Sequence, residues 1–259
     1  MELNLKGFKA VVTGGSSGLG FEMAKALLSH GATVAIAARL GDRLDRAYAA
    51  LRDEGLDVHA IAMDVRSEES VNAAAAWVES SWGRLDMLVN NAGIGMGAAD
   101  ANFAKEPGAF YDVPVTAFYD IVETNFIGYF LVARAFVPIM VREKRGRLVN
   151  VSTSIPTMTA RGQLPYGPAR AGAEAMAMIM AAELSETGIM TNVILPGGAT
   201  DTGLMPEHLR EHFKSRSLLK PDVLNDVILF LASPQSDGIY GERIIGRDFP
   251  QWLSDRFDA

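Results

Sequence analysis

Along the chain, apolar runs of strand length alternate with stretches whose apolar residues recur at helical spacing. The first run, Phe8 to Thr13, ends in a turn that is half glycine, Gly14-Gly15-Ser16-Ser17-Gly18-Leu19-Gly20. Leu19, Met23, Ala26 and Leu27 then recur as one face of a helix does. Thr33 to Ala38 reads as a second strand, and Leu40, Leu44, Ala47, Tyr48 and Leu51 as one face of the next helix. Val58 to Met63 is a third strand that ends at Asp64. Ser67 caps a helix with Val71, Ala74, Ala75 and Val78 inside. Leu85 to Asn90 is a fourth strand, followed by a loop rich in Gly and Ala from Asn91 to about Pro114. A long helix over 116–142, a strand over 147–152 and a second long helix from Tyr166 to about Thr187 come next. A sixth strand, Met190 to Leu195, runs into Pro196-Gly197-Gly198. Short helical segments at 204–216 and 221–232 precede a last apolar pair, Ile244-Ile245, expected as an edge strand.

Strands that alternate with helices predict the α/β class. The expected architecture is a doubly wound parallel sheet of about seven strands, covered by helices on both faces, with ligands at the carboxyl ends of the strands. No linker or repeat divides the 259 residues, so a single domain is expected. The first strand, glycine turn and helix make a place to hold phosphate. Gly14 permits the sharp turn, Gly18 lets a pyrophosphate approach, and Gly20 lets helix and strand pack closely. The free N–H groups of the helix start, at Ser16, Ser17, Gly18 and Leu19, face the anion. A tight turn with no ligand also selects glycine, so the flanking strand and helix carry this reading.

Composition narrows the function. Hydrophobic residues make up 49% of the chain, enough for a large core, and there is no cysteine for disulfides, thiolate metal sites or thiol nucleophiles. A net charge of −7 argues against a nucleic-acid partner. The basic cluster Arg142, Lys144, Arg145 and Arg147 is expected to be a solvated turn. No apolar run reaches the ~18 residues of a membrane span, and Met1 to Lys6 lacks the pattern of a signal peptide. A cytoplasmic protein with no membrane contact is expected. His208 and His212 stand one helical turn apart, as in an inverted zinc-protease motif, but the segment is highly charged and lacks an obvious third ligand, so no metal is expected.

The motifs taken together resemble the short-chain dehydrogenases/reductases. Thr13-Gly14-Gly15-Ser16-Ser17-Gly18-Leu19-Gly20, Asp64-Val65, Asn90-Asn91-Ala92-Gly93, Asn125, Ser152-Thr153, Tyr166 with a basic residue four on, and Pro196-Gly197 fall in that family's order and spacing. The resemblance implies a Rossmann-type domain, a nicotinamide cofactor, hydride transfer between an alcohol and a carbonyl, and a homodimer or homotetramer. It implies that Asp64 and Val65 meet the adenine, that Asn91-Ala92-Gly93 pack along the cofactor, and that Pro196-Gly197 contact the nicotinamide amide. The family's threonine five residues after that proline is replaced by Asp201, which leaves Thr200 and Thr202 as rival hydroxyls. It implies Tyr166 as proton donor and acceptor. The partner hydroxyl, 13 residues earlier, falls on Thr153 rather than Ser152. Asn125 would hold a water or bend its helix.

Position 170 departs from the family, which has lysine where this chain has Arg170. Arginine keeps the positive charge and can bond ribose hydroxyls, but it is bulkier and does not deprotonate. Tyrosine with arginine four later also resembles the halohydrin dehalogenases, which open epoxides without a nicotinamide and have lost the glycine loop. This chain keeps that loop, so the redox reading leads. A weakened dinucleotide-binding sensor or scaffold is the third alternative.

At the end of the second strand, Ala38-Arg39 offers no acid for a ribose 2′-hydroxyl and a guanidinium suited to a 2′-phosphate, so NADP(H) is expected over NAD(H). A substrate loop over about 94–115 and a short lid over about 200–220 are expected. Met96, Phe103, Phe110, Tyr111, Pro114, Ile155, Pro156, Met158, Leu164, Leu204 and Met205 would make the walls mostly apolar. A medium-sized apolar alcohol or ketone is the expected substrate. The helix after Tyr166, apolar around most of its circumference, would need a second subunit to cover it.

Overall fold

Seven of the apolar runs pair, every one parallel to its neighbour, into a sheet of order β3-β2-β1-β4-β5-β6-β7. The computed structural model describes residues 3–214 and 218–257, with the side chains of 211–214 left aside. The strands are β1 (Lys9–Thr13), β2 (Thr33–Ala38), β3 (Val58–Ala62), β4 (Met87–Asn90), β5 (Gly146–Val151), β6 (Ile189–Leu195) and β7 (Arg243–Ile245). One face is covered by α1 (Gly18–Ser29), α2 (Asp42–Asp53), α9 (Asn225–Ala232) and α10 (Phe249–Phe257), and Met23, Leu27, Leu44, Leu51, Ile228 and Phe249 bury there. The other face carries α3 (Glu68–Trp82), α4 (Val115–Val122), α5 (Gly128–Arg142) and α7 (Tyr166–Leu184). There Val71, Val78, Val132, Phe136, Ile139 and Met140 meet Val11, Leu88 and Leu148 of the sheet. The single-domain, doubly wound α/β architecture matches the expectation. Because the chain crosses from β3 back to a place beside β1, the carboxyl ends of β1 and β4 flank the switch point where such sheets bind ligands.

Several local expectations need correction. Leu40 precedes α2 and is 81% exposed, so it belongs to a turn and not to the apolar face of that helix. Arg147 is not part of a solvated turn. It is buried on β5, where its guanidinium donates to Asp237 at 2.5 Å and to the Ser233 carbonyl at 3.3 Å. The second long helix stops at Leu184. Two short helices were not legible in the pattern, α6 (Ile155–Thr159) and α10.

The first long helix runs continuously over Val115–Arg142, but a π turn at Glu123–Ile127 separates α4 from α5. With mean hydropathy of 1.5 it is long and apolar enough to cross a membrane, contrary to the expectation that no segment is. Here it lies along the sheet, with Tyr129, Val132, Ala133, Phe136, Ile139 and Met140 buried. One further helix, α8 (Glu207–Lys214), stands beyond β6.

Candidate active site

The glycine turn is shaped by close neighbours. Gly14 and Gly18 have φ of +65° and +55°, the left-handed region that glycine adopts without strain. A Cβ on Gly20 would overlap the Asn91 amide, and one on Gly14 would lie 2.9 Å from Ala92 Cα. Thr13 locks this contact: its hydroxyl accepts from the N–H groups of Asn91 (2.9 Å) and Ala92 (3.0 Å) and donates to the Val89 carbonyl (3.2 Å). The Asn91 amide donates back to the Thr13 carbonyl at 2.9 Å. The start of α1 has no side-chain cap and no acidic residue in its first turn. An uncapped helix N-terminus behind a glycine turn fits the phosphates of a dinucleotide. Ser16 and Ser17 lie on the turn, while Leu19 packs on the core below it.

The other residues expected to bind the cofactor have differing surroundings. Arg39 is exposed just past β2. The Asp64 carboxylate accepts from Arg66 Nε (3.2 Å), Nη2 (2.9 Å) and the Arg66 N–H (3.0 Å), and these bonds hold it below the usual carboxylate range. Arg66 also reaches Asp120 at 3.0 Å. Val65 is buried, with its side chain against Gly128. Gly197 has φ of +92°, a Cβ there would overlap Ile245, and the Pro196 carbonyl accepts from the Arg247 N–H. Of the two rival threonines, Thr202 lies against Gly18, whereas the Thr200 hydroxyl turns to the Gly198 carbonyl at 3.3 Å. Asp201 pairs with Arg210 of α8.

The residues expected to do chemistry gather at the ends of β4 and β5. Tyr166 is the first residue of α7 and is half-buried. Arg170, one turn on, is 4% exposed, and its guanidinium carbon lies 5.4 Å from the Tyr166 ring and 5.4 Å from the Tyr129 ring. Its Nη1 donates to the Tyr129 hydroxyl (2.6 Å) and the Val151 carbonyl (3.0 Å). Burial opposes its charge, but the two phenols outweigh that and hold the guanidinium above its usual value. Burial also pushes the Tyr129 phenol up, against the pull of Arg170. A Cβ on Gly93 would overlap Arg170 Nη2, so this glycine makes room for the guanidinium. The Asn125 side chain, in the π turn, clamps Ile94: its oxygen accepts from the Ile94 N–H (2.9 Å) and its amide donates to the Ile94 carbonyl (2.8 Å). Both polar ends of the Asn125 side chain thus join the bent helix to the loop after β4.

The neighbouring hydroxyls Ser152 and Thr153 separate. Ser152 is buried and donates to Glu174 at 2.6 Å, and Glu174 accepts from Arg243 Nε at 2.6 Å. Arg243 Nη2 in turn donates to the Thr153 carbonyl at 2.8 Å, which ties the end of β5 to α7 and β7. Sequence reasoning missed Tyr129, Glu174 and Arg243. A lone charge inside an apolar helix was the available signal for Glu174; Tyr129 gave none, because it fits an apolar helical face.

A cavity of about 740 Å³ lies between the loop after β4 and the turn at 160–164. Met96 and Leu164 line it, and Met96 shares a small apolar cluster with Phe103, Ala169 and Tyr166. Of the residues expected to make the walls, Met96, Phe110 and Leu164 line this cavity. Asp100, Glu106, Asp112 and Arg161 also line the cavity, while Tyr111 and Ile155 face solvent and Phe103 packs into the cluster. The His208 ring meets the Ala101 carbonyl at 2.9 Å through Nε2, and the side chain of His212 lies outside the described residues.

With this geometry in place, comparison with known proteins decides the family. The short chain dehydrogenase pattern matches residues 9–212. The chain belongs to the short-chain dehydrogenase family. It is an NAD(P)-dependent oxidoreductase of that family. It is 30% identical over 251 residues to a 3-oxoacyl-[acyl-carrier-protein] reductase of Aquifex aeolicus, covering 94% of this chain and 97% of that one. Among solved structures, an actinorhodin polyketide ketoreductase variant with NADPH is similar at a TM-score of 0.80 and 26% identity, over 93% of this chain and 97% of that one. A putative gluconate dehydrogenase from Agrobacterium tumefaciens is similar at 0.82 and 28%, over 96% and 98%.

Proposed function

We propose that this dehydrogenase transfers hydride between NADP(H) and a medium-sized carbonyl or secondary alcohol, with Tyr166 as the proton donor and acceptor. The observation that carries this reading is the buried Arg170 guanidinium, 5.4 Å from the Tyr166 ring and against Gly93 of the loop whose Asn91 and Ala92 pack on the glycine turn. When bound, the nicotinamide supplies or accepts the hydride at the substrate carbon. In reduction, the Tyr166 hydroxyl gives its proton to the carbonyl oxygen, and the fixed Arg170 charge stabilises the negative charge left on the phenol. The Thr153 hydroxyl hydrogen-bonds the same substrate oxygen and orients it. Asn125 keeps the loop after β4 in place through Ile94.

On the cofactor side, the turn from Gly14 to Gly20 with the first N–H groups of α1 takes the pyrophosphate. Arg39 takes the 2′-phosphate, and Asp64 and Val65 the adenine. Asn91-Ala92-Gly93, Pro196, Gly197 and Thr202 line the nicotinamide half. Residues 94–115 act as the substrate loop and 200–220 as a lid, of which Thr202 sits against Gly18 and residues 215–217 lie outside the described residues. The mixed lining of the cavity favours a small-molecule substrate with an apolar body and hydrogen-bonding groups over a purely apolar one.

The test is a turnover screen of ketones and alcohols with NADPH and NADH, on wild type, Tyr166→Phe and Arg39→Ala. Turnover should disappear in Tyr166→Phe while cofactor binding stays. Arg39→Ala should lose affinity for NADPH and not for NADH. A Tyr166→Phe enzyme as active as wild type overturns the mechanism, and a wild type that prefers NADH overturns the cofactor assignment.

A further inference from the structure

We propose that Tyr129 is a positioning residue that lets an arginine serve at position 170. The inference rests on the reading of Tyr166 given above. Arginine is longer than lysine and ends in a flat fork, so its charge must be aimed as well as present. Tyr129 lies one helical turn beyond Asn125 and is buried, with its hydroxyl turned to the end of β5. That hydroxyl accepts from Arg170 Nη1 at 2.6 Å and donates to the Val151 carbonyl at 3.0 Å, and the same carbonyl accepts from Nη1 at 3.0 Å. Phenol, carbonyl and guanidinium thus close a three-membered ring of hydrogen bonds. The ring fixes one arm of the fork inside the protein. Nη2, the other arm, is left against Gly93, where the loop after β4 begins.

The two phenol rings lie at equal distance from the guanidinium carbon, so the charge is held between them. No solvent reaches Tyr129 to replace its hydroxyl if that is removed. Tyr129→Phe would leave Nη1 with the Val151 carbonyl alone, and that carbonyl without its phenol donor. The fork is then aimed by one hydrogen bond instead of two, and the charge beside Tyr166 is less tightly held. A lysine at 170 has a point charge with three rotatable donors, so it does not depend on the phenol for its aim.

The experiment is a double-mutant cycle of Tyr129→Phe and Arg170→Lys, with Tyr166→Phe as reference. Kinetic constants, cofactor affinity and the pH–rate profile are measured with NADPH and the best ketone from the screen. In the Arg170 background, Tyr129→Phe should lower kcat about tenfold and displace the pH–rate profile, with cofactor affinity changed less than threefold. In the Arg170→Lys background the same change should alter kcat less than twofold. An equal loss in both backgrounds, or no loss in the first, overturns the proposal. A Tyr166→Phe enzyme with full turnover overturns the underlying reading instead. If Tyr129→Phe does not fold, Gly93→Ala pushes the guanidinium from its other side. Its loss of kcat should be several-fold greater with Arg170 than with Lys at 170, and equal losses overturn the proposal.

Discussion

Ser152 and Thr153 are adjacent in the chain and offer the same chemistry, yet their surroundings differ. Successive side chains at the end of a strand point to opposite sides. Ser152 goes inward to Glu174, and among the described residues the bond that ties Thr153 down runs from Arg243 to its carbonyl, not to its hydroxyl. If Thr153 is the hydroxyl that meets the substrate oxygen, Thr153→Ala should lower kcat about 10²-fold, the usual loss for one donor to a developing oxyanion. Thr153→Ser should keep most of the activity. Ser152→Ala should spare kcat but cost about 1–3 kcal/mol of stability, since Glu174 loses a buried donor. Steady-state kinetics and thermal melts on the three variants check this, and a Ser152→Ala enzyme with kcat as low as Thr153→Ala would reverse the assignment.

At the scale of the element, α4 and α5 show how one helix serves both core and site. Its sheet-facing side is apolar at helical spacing, and Phe136, fully buried, meets the strands. The π turn at Glu123–Ile127 carries Asn125, which bonds Ile94, while Tyr129 one turn later bonds Arg170. An extra residue in a helical turn is a known way to re-aim side chains at functional sites. The sheet-facing side should be sensitive to volume alone. Phe136→Ala should cost about 3–5 kcal/mol, the range for truncating a buried phenylalanine. For a domain of this size that is a fall in Tm of roughly 10 °C. The folded fraction of the variant should keep the kcat of wild type, because Phe136 touches none of the reacting groups.

For the whole molecule, large apolar residues remain on the outside of the long helices. Ile179 on α7 is 60% exposed, Phe130 on α5 46%, and Tyr119 on α4 60%. Exposed apolar residues of this size on three helices that cover the same side of the sheet motivate our proposal of a homodimer or homotetramer. Light scattering at micromolar concentration should give two or four times the chain mass of 27.8 kDa. Ile179→Glu together with Phe130→Glu should shift it toward one. A monomer mass for the wild type would rule the assembly out.

The order of the elements was readable in the chain because apolar period is a local property. Strand runs such as Thr33–Ala38 and the glycine turn before α1 declare themselves within a dozen residues. The parallel sheet and the place of its ligand edge follow from the alternation itself. Local pattern misled where burial depends on a distant partner: Arg147 reads as a surface cation until Asp237, 90 residues away, is brought beside it. The same holds at the candidate site. Thr13, Asn91 and Gly20 form one knot, Gly93 is needed by Arg170 as much as by any ligand, and Tyr129 looks like one more apolar position on its helix. The sequence determined which residue types stand at the strand ends. Tertiary structure decided which of them touch, because hydrogen bonds and buried charges act over a few ångströms between residues that the chain keeps far apart.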